Sequence, residues 1–490
     1  MDRPSDLFDR LDEWSALSRF VTDERPGATL GVVSGRRRQG KSFLLDAVCR
    51  AAGGFYFGAT EATAAESLRR LGAELTSYLG PVTPIRPSGW EEAIEALLAI
   101  GGDRPVPVVI DEFPYLVEAD PSLPSIIQGA LGPRAGHGRE SRARLLLCGS
   151  ATSFMGKLLA GNAPLRGRAG LELVVQPFGH RVAAQFWGIT DPRLAVQVHA
   201  VVGGTPAYRR EFARDDVPRG REDFDDWVVR TVLDPASPLF REARYLLAEE
   251  PGVRDVSLYH SVLAAVADGN ATRGGIANYV GRKATDIAHP LTVLTDNGLL
   301  RYEADVFRSN RANFRIAEPL ITFHHAVMRP VWSQLERRGS AMRIWQATSP
   351  RYASKVIGPH FEHLCREWAL DAEGLPYRDF PASVGSGTVY DPARRTGFEI
   401  DVAVLGMGTS GSRTPLLAIG EAKWGQSLGM PHLQRLRRVV EILERAGKFD
   451  TSGTVLLCFS GAGFTPDLVS EAAAHPDRIV LAGPEDLYRR

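Results

Sequence analysis

The chain has 490 residues, enough for about three domains that each bury a core of their own. Its 58 basic residues equal its 58 acidic ones, which excludes a partner selected by bulk charge and leaves any nucleic-acid contact to a local patch. The N-terminus, MDRPSDLFDRLDEW, lacks the apolar core of a signal peptide, and no apolar run reaches membrane-spanning length, so the expected setting is cytoplasmic.

The first chemical signal is GRRRQGKS at residues 35–42, directly after the apolar run TLGVV. This matches G-x-x-x-x-G-K-[ST], the phosphate-binding loop. Gly35 and Gly40 let the backbone turn tightly, so that N–H groups point at phosphate oxygens. Lys41 reaches the β and γ phosphates, Ser42 completes Mg²⁺ coordination, and the helix predicted from FLLDAVCRAAG presents its positive end to the anion. Gly35, Arg36, Arg37, Arg38, Gln39, Gly40, Lys41, Ser42 and Phe43 are therefore the candidate nucleotide-binding residues.

Next, GGFYFGAT predicts a strand, followed by the helical ATAAESLRRLGAEL. VPVVIDEF at residues 106–113 is a buried strand ending in two carboxylates, where ligands of a parallel sheet gather. Asp111 is placed to hold Mg²⁺ through water, and Glu112 to polarise the water that attacks the γ-phosphate. RLLLCGSATSF predicts a further buried strand, from whose end Ser150 can sense the γ-phosphate. The pattern is β-α-β-α-β-α-β, an α/β domain with a parallel sheet. In the following NAPLRGRAGLELVVQPF, Arg166 and Arg168 are candidates for a guanidinium that neutralises transition-state charge, within the chain or across a contact between two copies.

Residues 185–240 read as helices, interrupted by GGTPAY and DPASP. From about residue 255, three short amphipathic segments lead to an extended end after NGLL, the pattern of a winged helix-turn-helix; Arg282 and Lys283 lie beside its third helix, where they can meet phosphate. In the C-terminal part, RTGFEIDVAVL alternates strictly, and LLAIGEAKW carries Glu421 and Lys423 on one face of a strand. Asp401, Glu421 and Lys423 can thus converge, with Glu362 on an upstream helix as a further ligand and Gln434 and Arg435 on the basic helix downstream. Carboxylates that hold Mg²⁺ and a lysine that orients water are what phosphodiester cleavage requires. Cys49, Cys148, Cys365 and Cys458 are widely spaced, form no C-x-x-C pair, and read as reduced core thiols.

The whole chain resembles the archaeal-type ATPase family, P-loop ATPases with a C-terminal nuclease-like domain. The matching residues are FDRLDEWSAL, GRRRQGKSFLL, VIDEFPYL, LLLCGSATSFM, APLRGRAGLEL, VVGGTPAY, LDPASPLFREARYLL, FRIAEPLITFHHAVMRP, GPHFEHLCREWAL, EIDVAVL and IGEAKW. The resemblance implies an AAA-like core that binds ATP and Mg²⁺, with Lys41, Ser42, Asp111 and Glu112 in the roles above and Arg166 or Arg168 as the sensing or trans-acting arginine. It implies a PD-(D/E)xK nuclease-like domain with Asp401, Glu421 and Lys423 in the motif and Glu362 in the first-helix position. VGSGTVYD departs from the family in lacking a tryptophan pair ahead of the EID strand.

The expected layout is an ATPase core at 1–184, a helical lid at 185–250, a winged helix-turn-helix at 251–317 and a nuclease-like domain at 318–490. Two functions fit: an ATPase that drives a nuclease acting on DNA, or a nucleotide-controlled switch that binds DNA or protein without cutting.

Overall fold

A computed structural model describes residues 1–132, 140–150, 152–248, 255–308, 311–337, 339–371, 373–408 and 412–489. The chain divides into two compact units: Met1–Pro177 with Thr205–Ala207, and Phe178–Gly204 with Tyr208–Arg490. The segments expected as lid, winged helix and nuclease-like domain therefore fall within one unit, while three residues of GGTPAY belong with the phosphate loop's unit. Among the described residues, no helix is long and apolar enough to cross a membrane.

The first unit is built on a five-stranded parallel sheet in the order β2-β3-β4-β1-β5. Its strands are β1 (Thr29–Ser34), β2 (Phe55–Gly58), β3 (Val106–Asp111), β4 (Ala143–Gly149) and β5 (Ala169–Val174). Every residue of β3 and β4 is buried, which is why both read as continuous apolar runs. Alternate residues feed two cores. Val32, Ile110 and Leu147 pack with Leu71, Trp90 and Leu97 from the helices Ala64–Leu79 and Trp90–Ala99. Val33, Val109 and Cys148 pack with Trp14, Leu17 and Leu44 from the helices Leu11–Val21 and Lys41–Ala52. The edge strand β5 was not predicted: its AGLELV is half-buried on alternate residues only, a weaker signal than a central strand. Arg144, at the start of β4, is completely buried. Its guanidinium donates to the carbonyls of Asp23, Arg25 and Gly27, which pins the turn entering β1.

In the second unit the helices His180–Trp187 and Phe224–Val228 meet through Trp227, edge-on to Trp187 at 5.7 Å, and helix Pro192–Val202 packs on both. Three helices follow, Val256–Ala267, Arg273–Val280 and Ala288–Asp296. They lead to an antiparallel pair, β6 (Leu300–Ala304) and β7 (Ala312–Ile316). The third helix closes at Asn297 and Gly298 (φ 68°), as expected from the sequence. The strand β7 was not anticipated; its residues are all half-buried and show no alternation.

The C-terminal part is a mixed six-stranded sheet. Its strands are β8 (Pro381–Asp391), β9 (Thr396–Gly406), β10 (Thr414–Lys423), β11 (Phe449–Asp450), β12 (Val455–Ser460) and β13 (Ile479–Ala482). They run in the order β13-β12-β10-β9-β8, with β11 paired to β10. Strands β8 to β10 are antiparallel, while β10, β12 and β13 are parallel. Helix Met430–Ala446 supplies Leu433, Leu436 and Val439 to its core, and helix Gly358–Asp371 packs on β8, β9 and β10. All four cysteines are free and buried, as expected.

The π-helical turn His324–Met328 places His324 and His325 at 2% exposure each, their rings 5.0 Å apart. Among the described residues neither ring nitrogen of His325 has a hydrogen-bond partner, and the tilted ring of His260 lies 5.4 Å away. Burial drives the His324 pKa down to about 3 and holds His325 well below its ordinary value; His260, Arg244 and Arg329 add to the effect on His324. Since both fold with lowered pKa values, the unfolded chain takes up protons below pH about 6.5 that the native chain refuses. Stability is thus full above that pH and falls as pH drops toward about 3. The urea midpoint should decline from pH 6.5 to 5, each histidine contributing about 1.4 kcal/mol per pH unit, and His325→Phe should flatten the decline. A midpoint flat over that range would contradict the burial argument.

Candidate functional site

Ser34 of β1 pairs with Gly149 of β4, and Ile110 of β3 with Leu147 of β4, so the three strands end on one edge of the sheet. That register brings the phosphate loop, the Asp111–Glu112 pair and Ser150 together from three separate parts of the sequence. Gly35 has φ 145°, and a Cβ built on it would stand 2.4 Å from the Val175 carbonyl oxygen and 3.1 Å from Gln39 Oε1. Arg38 (φ 68°) and Gly40 (φ 84°) also take the left-handed region, which curls the loop back onto itself. The helix Lys41–Ala52 then starts at Gly40, which has no side chain to cap it, and its first turn carries no acid. The first N–H groups of a helix have no partners within it, so this uncapped positive end beside the loop suits an anion.

Lys41 is 5% exposed and donates from Nζ to the Arg36 carbonyl at 2.9 Å. Burial lowers its pKa against the opposing pull of Cys148, Glu112 and Asp111. A desolvated ammonium of this kind gains most from an anionic ligand. Ser42 and Phe43 are exposed, whereas Gln39 is 2% exposed. The loop is braced from behind by Arg10, which the sequence reading did not single out. Arg10 donates to the Gln39 carbonyl at 3.0 Å and the Gln176 carbonyl at 2.7 Å, and pairs with Glu13 at 2.8 Å. From GGTPAY, the Ala207 N–H reaches the Arg38 carbonyl at 3.5 Å.

Asp111 is 4% exposed. Burial works to raise its pKa, but hydrogen bonds from Cys148, Ser42, Tyr56 and the Glu112 N–H hold it below the ordinary value. The Tyr56 hydroxyl donates to Asp111 Oδ2 at 2.5 Å. Tyr56 escaped the sequence reading, although its place between two buried phenylalanines in β2 turns it to the opposite face from them. Glu112 takes the left-handed conformation (φ 52°), rare for a residue with a side chain, between β3 and the helix Phe113–Ala119. Ser150 Oγ lies 3.2 Å from Glu112 Oε2, and the Arg37 Nε–H donates to that hydroxyl at 3.3 Å.

Arg166 and Arg168 are not part of this assembly. Both are exposed in the turn before β5, whose first residue, Ala169, is in register with Leu30 near the start of β1. They lie at the opposite end of the sheet from Gly35, and Arg166 donates to the Gly161 carbonyl at 2.6 Å. With β5 unread, the sequence did not show that these arginines precede a strand of this sheet.

On the C-terminal sheet, Asp401, Glu421 and Lys423 do meet. Lys423 Nζ is 3.1 Å from Asp401 Oδ2 and 3.6 Å from Glu421 Oε1, and Arg435 Nη1 is 3.1 Å from the same Glu421 oxygen. The Ala422 N–H donates to Asp401 Oδ2, and Arg366 to the Asp401 carbonyl. Burial opposes the Lys423 ammonium, yet Asp401 and Glu421 raise its pKa above the ordinary value. Burial, reinforced by Asp401, pushes Glu362 up to about 7.

Among the described residues Glu421 Oε2 is buried without a partner, a feature that would suit a cation. Even so, among the described residues no three acidic, histidine or cysteine side chains converge to hold a metal ion. The Asp401 charge reaches Glu362, the Lys423 ammonium bridges the Asp401 and Glu421 carboxylates, and Arg435 pairs with Glu421. Gln434 is exposed on the helix beside it.

Arg282 and Lys283 are both exposed between the second and third helices of the three-helix segment, with Tyr279 48% exposed nearby in sequence. The hairpin's own arginines turn inward instead: Arg301 and Arg315 lie 2.8 and 3.7 Å from Glu303.

No family model matches the chain. An uncharacterized protein of Methanocaldococcus jannaschii is 24% identical over 367 residues, 74% of this chain and 77% of that one. Among solved structures, the Walker-type ATPase of Pyrococcus abyssi superposes with a TM-score of 0.49 at 20% identity, covering 66% of this chain and 97% of that one. The Aeropyrum pernix ORC2 protein, solved in ADPNP–ADP complexes, gives a TM-score of 0.46 at 15% identity, with 71% and 97% covered.

Proposed function

We propose that the chain binds and hydrolyses ATP at the C-terminal edge of its parallel sheet. The observation that carries this reading is the convergence of Lys41, Asp111 and Glu112 around an uncapped helix N-terminus. Lys41 and the loop N–H groups bind the phosphates, and Glu112 takes a proton from the attacking water. Ser42 and Asp111 would hold Mg²⁺, which when bound neutralises phosphate charge; their hydrogen-bonded pairing fits that ion. The adenine base is inferred from the resemblance to the archaeal-type ATPase family rather than from any base-reading contact.

We further propose that the three-helix segment and its hairpin act as a winged-helix module. Arg282, Lys283 and Tyr279 give it a basic, partly aromatic surface suited to a nucleic-acid backbone. The Asp401–Lys423–Glu421–Arg435 cluster is assigned no hydrolytic step, so the reading is a nucleotide-controlled DNA-binding switch rather than a nuclease. The test incubates wild type and Lys41→Ala with ATP, divalent metal and plasmid. Phosphate release by wild type alone, with plasmid shifted in a gel but left intact, is the expected result. Equal phosphate release by both would defeat the ATPase reading, and metal-dependent nicking would restore the nuclease.

A further inference from the structure

Arg37 stands at one of the positions between the loop's two glycines that the motif leaves free. Its Nε–H donates to Ser150 Oγ at 3.3 Å, and its Nη2 donates to the Tyr115 hydroxyl at 3.1 Å. Ser150 Oγ in turn donates to Glu112 Oε2 at 3.2 Å. A serine hydroxyl has one proton, and an ionised carboxylate can only accept. The direction of the chain is thereby fixed: Arg37 gives to Ser150, and Ser150 gives to Glu112. Ser150 is 6% exposed, so water competes poorly for either bond. One guanidinium fork therefore joins the phosphate loop, the end of β4 and the helix that follows β3, with Glu112 as its end point.

Arg166 and Arg168, candidates for neutralising phosphate charge within the chain or across a contact between two copies, lie at the far end of the sheet from Gly35. We infer that Arg37 is the positioning residue for Glu112, setting the carboxylate through Ser150 according to the conformation of the phosphate loop. This rests on the ATPase reading above. Arg37 then makes hydrolysis depend on loop geometry: a loop closed on phosphate and a loop left open hold the Ser150 hydroxyl, and so Glu112, differently. A lysine cannot replace it, because an ammonium is a point donor and lacks the planar fork that reaches Ser150 and Tyr115 together.

The experiment is a double-mutant cycle on the full chain, with turnover and ATP affinity measured separately. Arg37→Ala and Ser150→Ala should each lower kcat by about 10- to 100-fold, with the Kd for ATP changed less than about threefold. The double variant should be no slower than the worse single one, since both break the same relay, and Arg37→Lys should not recover the loss. Losses that multiply in the double variant, an unchanged kcat in Arg37→Ala, or a change confined to Kd would each overturn the inference while leaving ATP hydrolysis in place. A wild type that does not turn over ATP would instead overturn the reading beneath it, and the inference with it.

Discussion

Glu112→Gln is expected to leave ATP bound and to slow its turnover by about 10²- to 10⁴-fold, the range for loss of a general base. The substitution keeps the shape of the side chain and an oxygen that can still accept from Ser150 Oγ, 3.2 Å away in the native chain. It removes only the basicity. Lys41 Nζ donates to the Arg36 carbonyl, and Glu112 accepts from Ser150, so affinity should change no more than a few-fold. Asp111→Asn is the informative contrast. Asp111 accepts from Tyr56, Ser42, Cys148 and the Glu112 N–H, so its loss should disturb folding and metal binding together. Phosphate release and nucleotide titration measured on the same preparation check this. A Glu112→Gln protein that keeps more than a tenth of wild-type turnover would remove Glu112 from the role.

Gly35→Ala should reduce ATP affinity by about 100-fold or more, although no charge or donor is lost. A methyl at that position meets the Val175 carbonyl at 2.4 Å, and φ is 145°, which an alanine rarely adopts. The carbonyl cannot yield easily, because the Val175 N–H is itself bonded to the Ser34 carbonyl at 2.8 Å and so belongs to the sheet. The loop must open instead, which moves the N–H groups that meet phosphate. Gly40→Ala is milder: φ is 84° and no atom lies within 4 Å of the added carbon, so only the left-handed penalty of about 1–2 kcal/mol applies. Nucleotide titration of the two variants should therefore rank Gly35→Ala far below Gly40→Ala. The reverse order, or equal losses, would contradict this account of the loop.

What could be read from the sequence, and what could not, follows from the physics of each feature. The phosphate loop and the acidic strand were legible because glycine spacing and a fully buried parallel strand are both unusual patterns with few other uses. Strand β5 was not, since an edge strand needs only a half-apolar pattern. Arg166 and Arg168 precede that strand, so without it their place at the far end of the sheet from Gly35 could not be read.

On the C-terminal sheet the alternation of β9 correctly suggested that Asp401 could face Glu421 and Lys423. It could not show that Lys423 would lie 3.1 Å from one carboxylate and 3.6 Å from the other, as a bridge between them. Arg10, Tyr56 and Arg37 act through contacts between residues distant in sequence, and no local pattern announces them. Arg315 likewise reaches Glu303 from the other strand of the hairpin, while Arg301 pairs with Glu303 along its own strand.

The central claim is that the assembly at Lys41, Asp111 and Glu112 is an ATP site, and equilibrium titration of ATP with Mg²⁺ into wild type and Lys41→Ala tests it most directly. The account predicts saturable one-to-one binding by the wild type and a loss of at least about 100-fold in Lys41→Ala, the scale expected when a buried charge-assisted contact to phosphate is removed. Both proteins should have the same circular dichroism spectrum. No saturable binding by a folded wild type, or equal affinity in the two proteins, would contradict it.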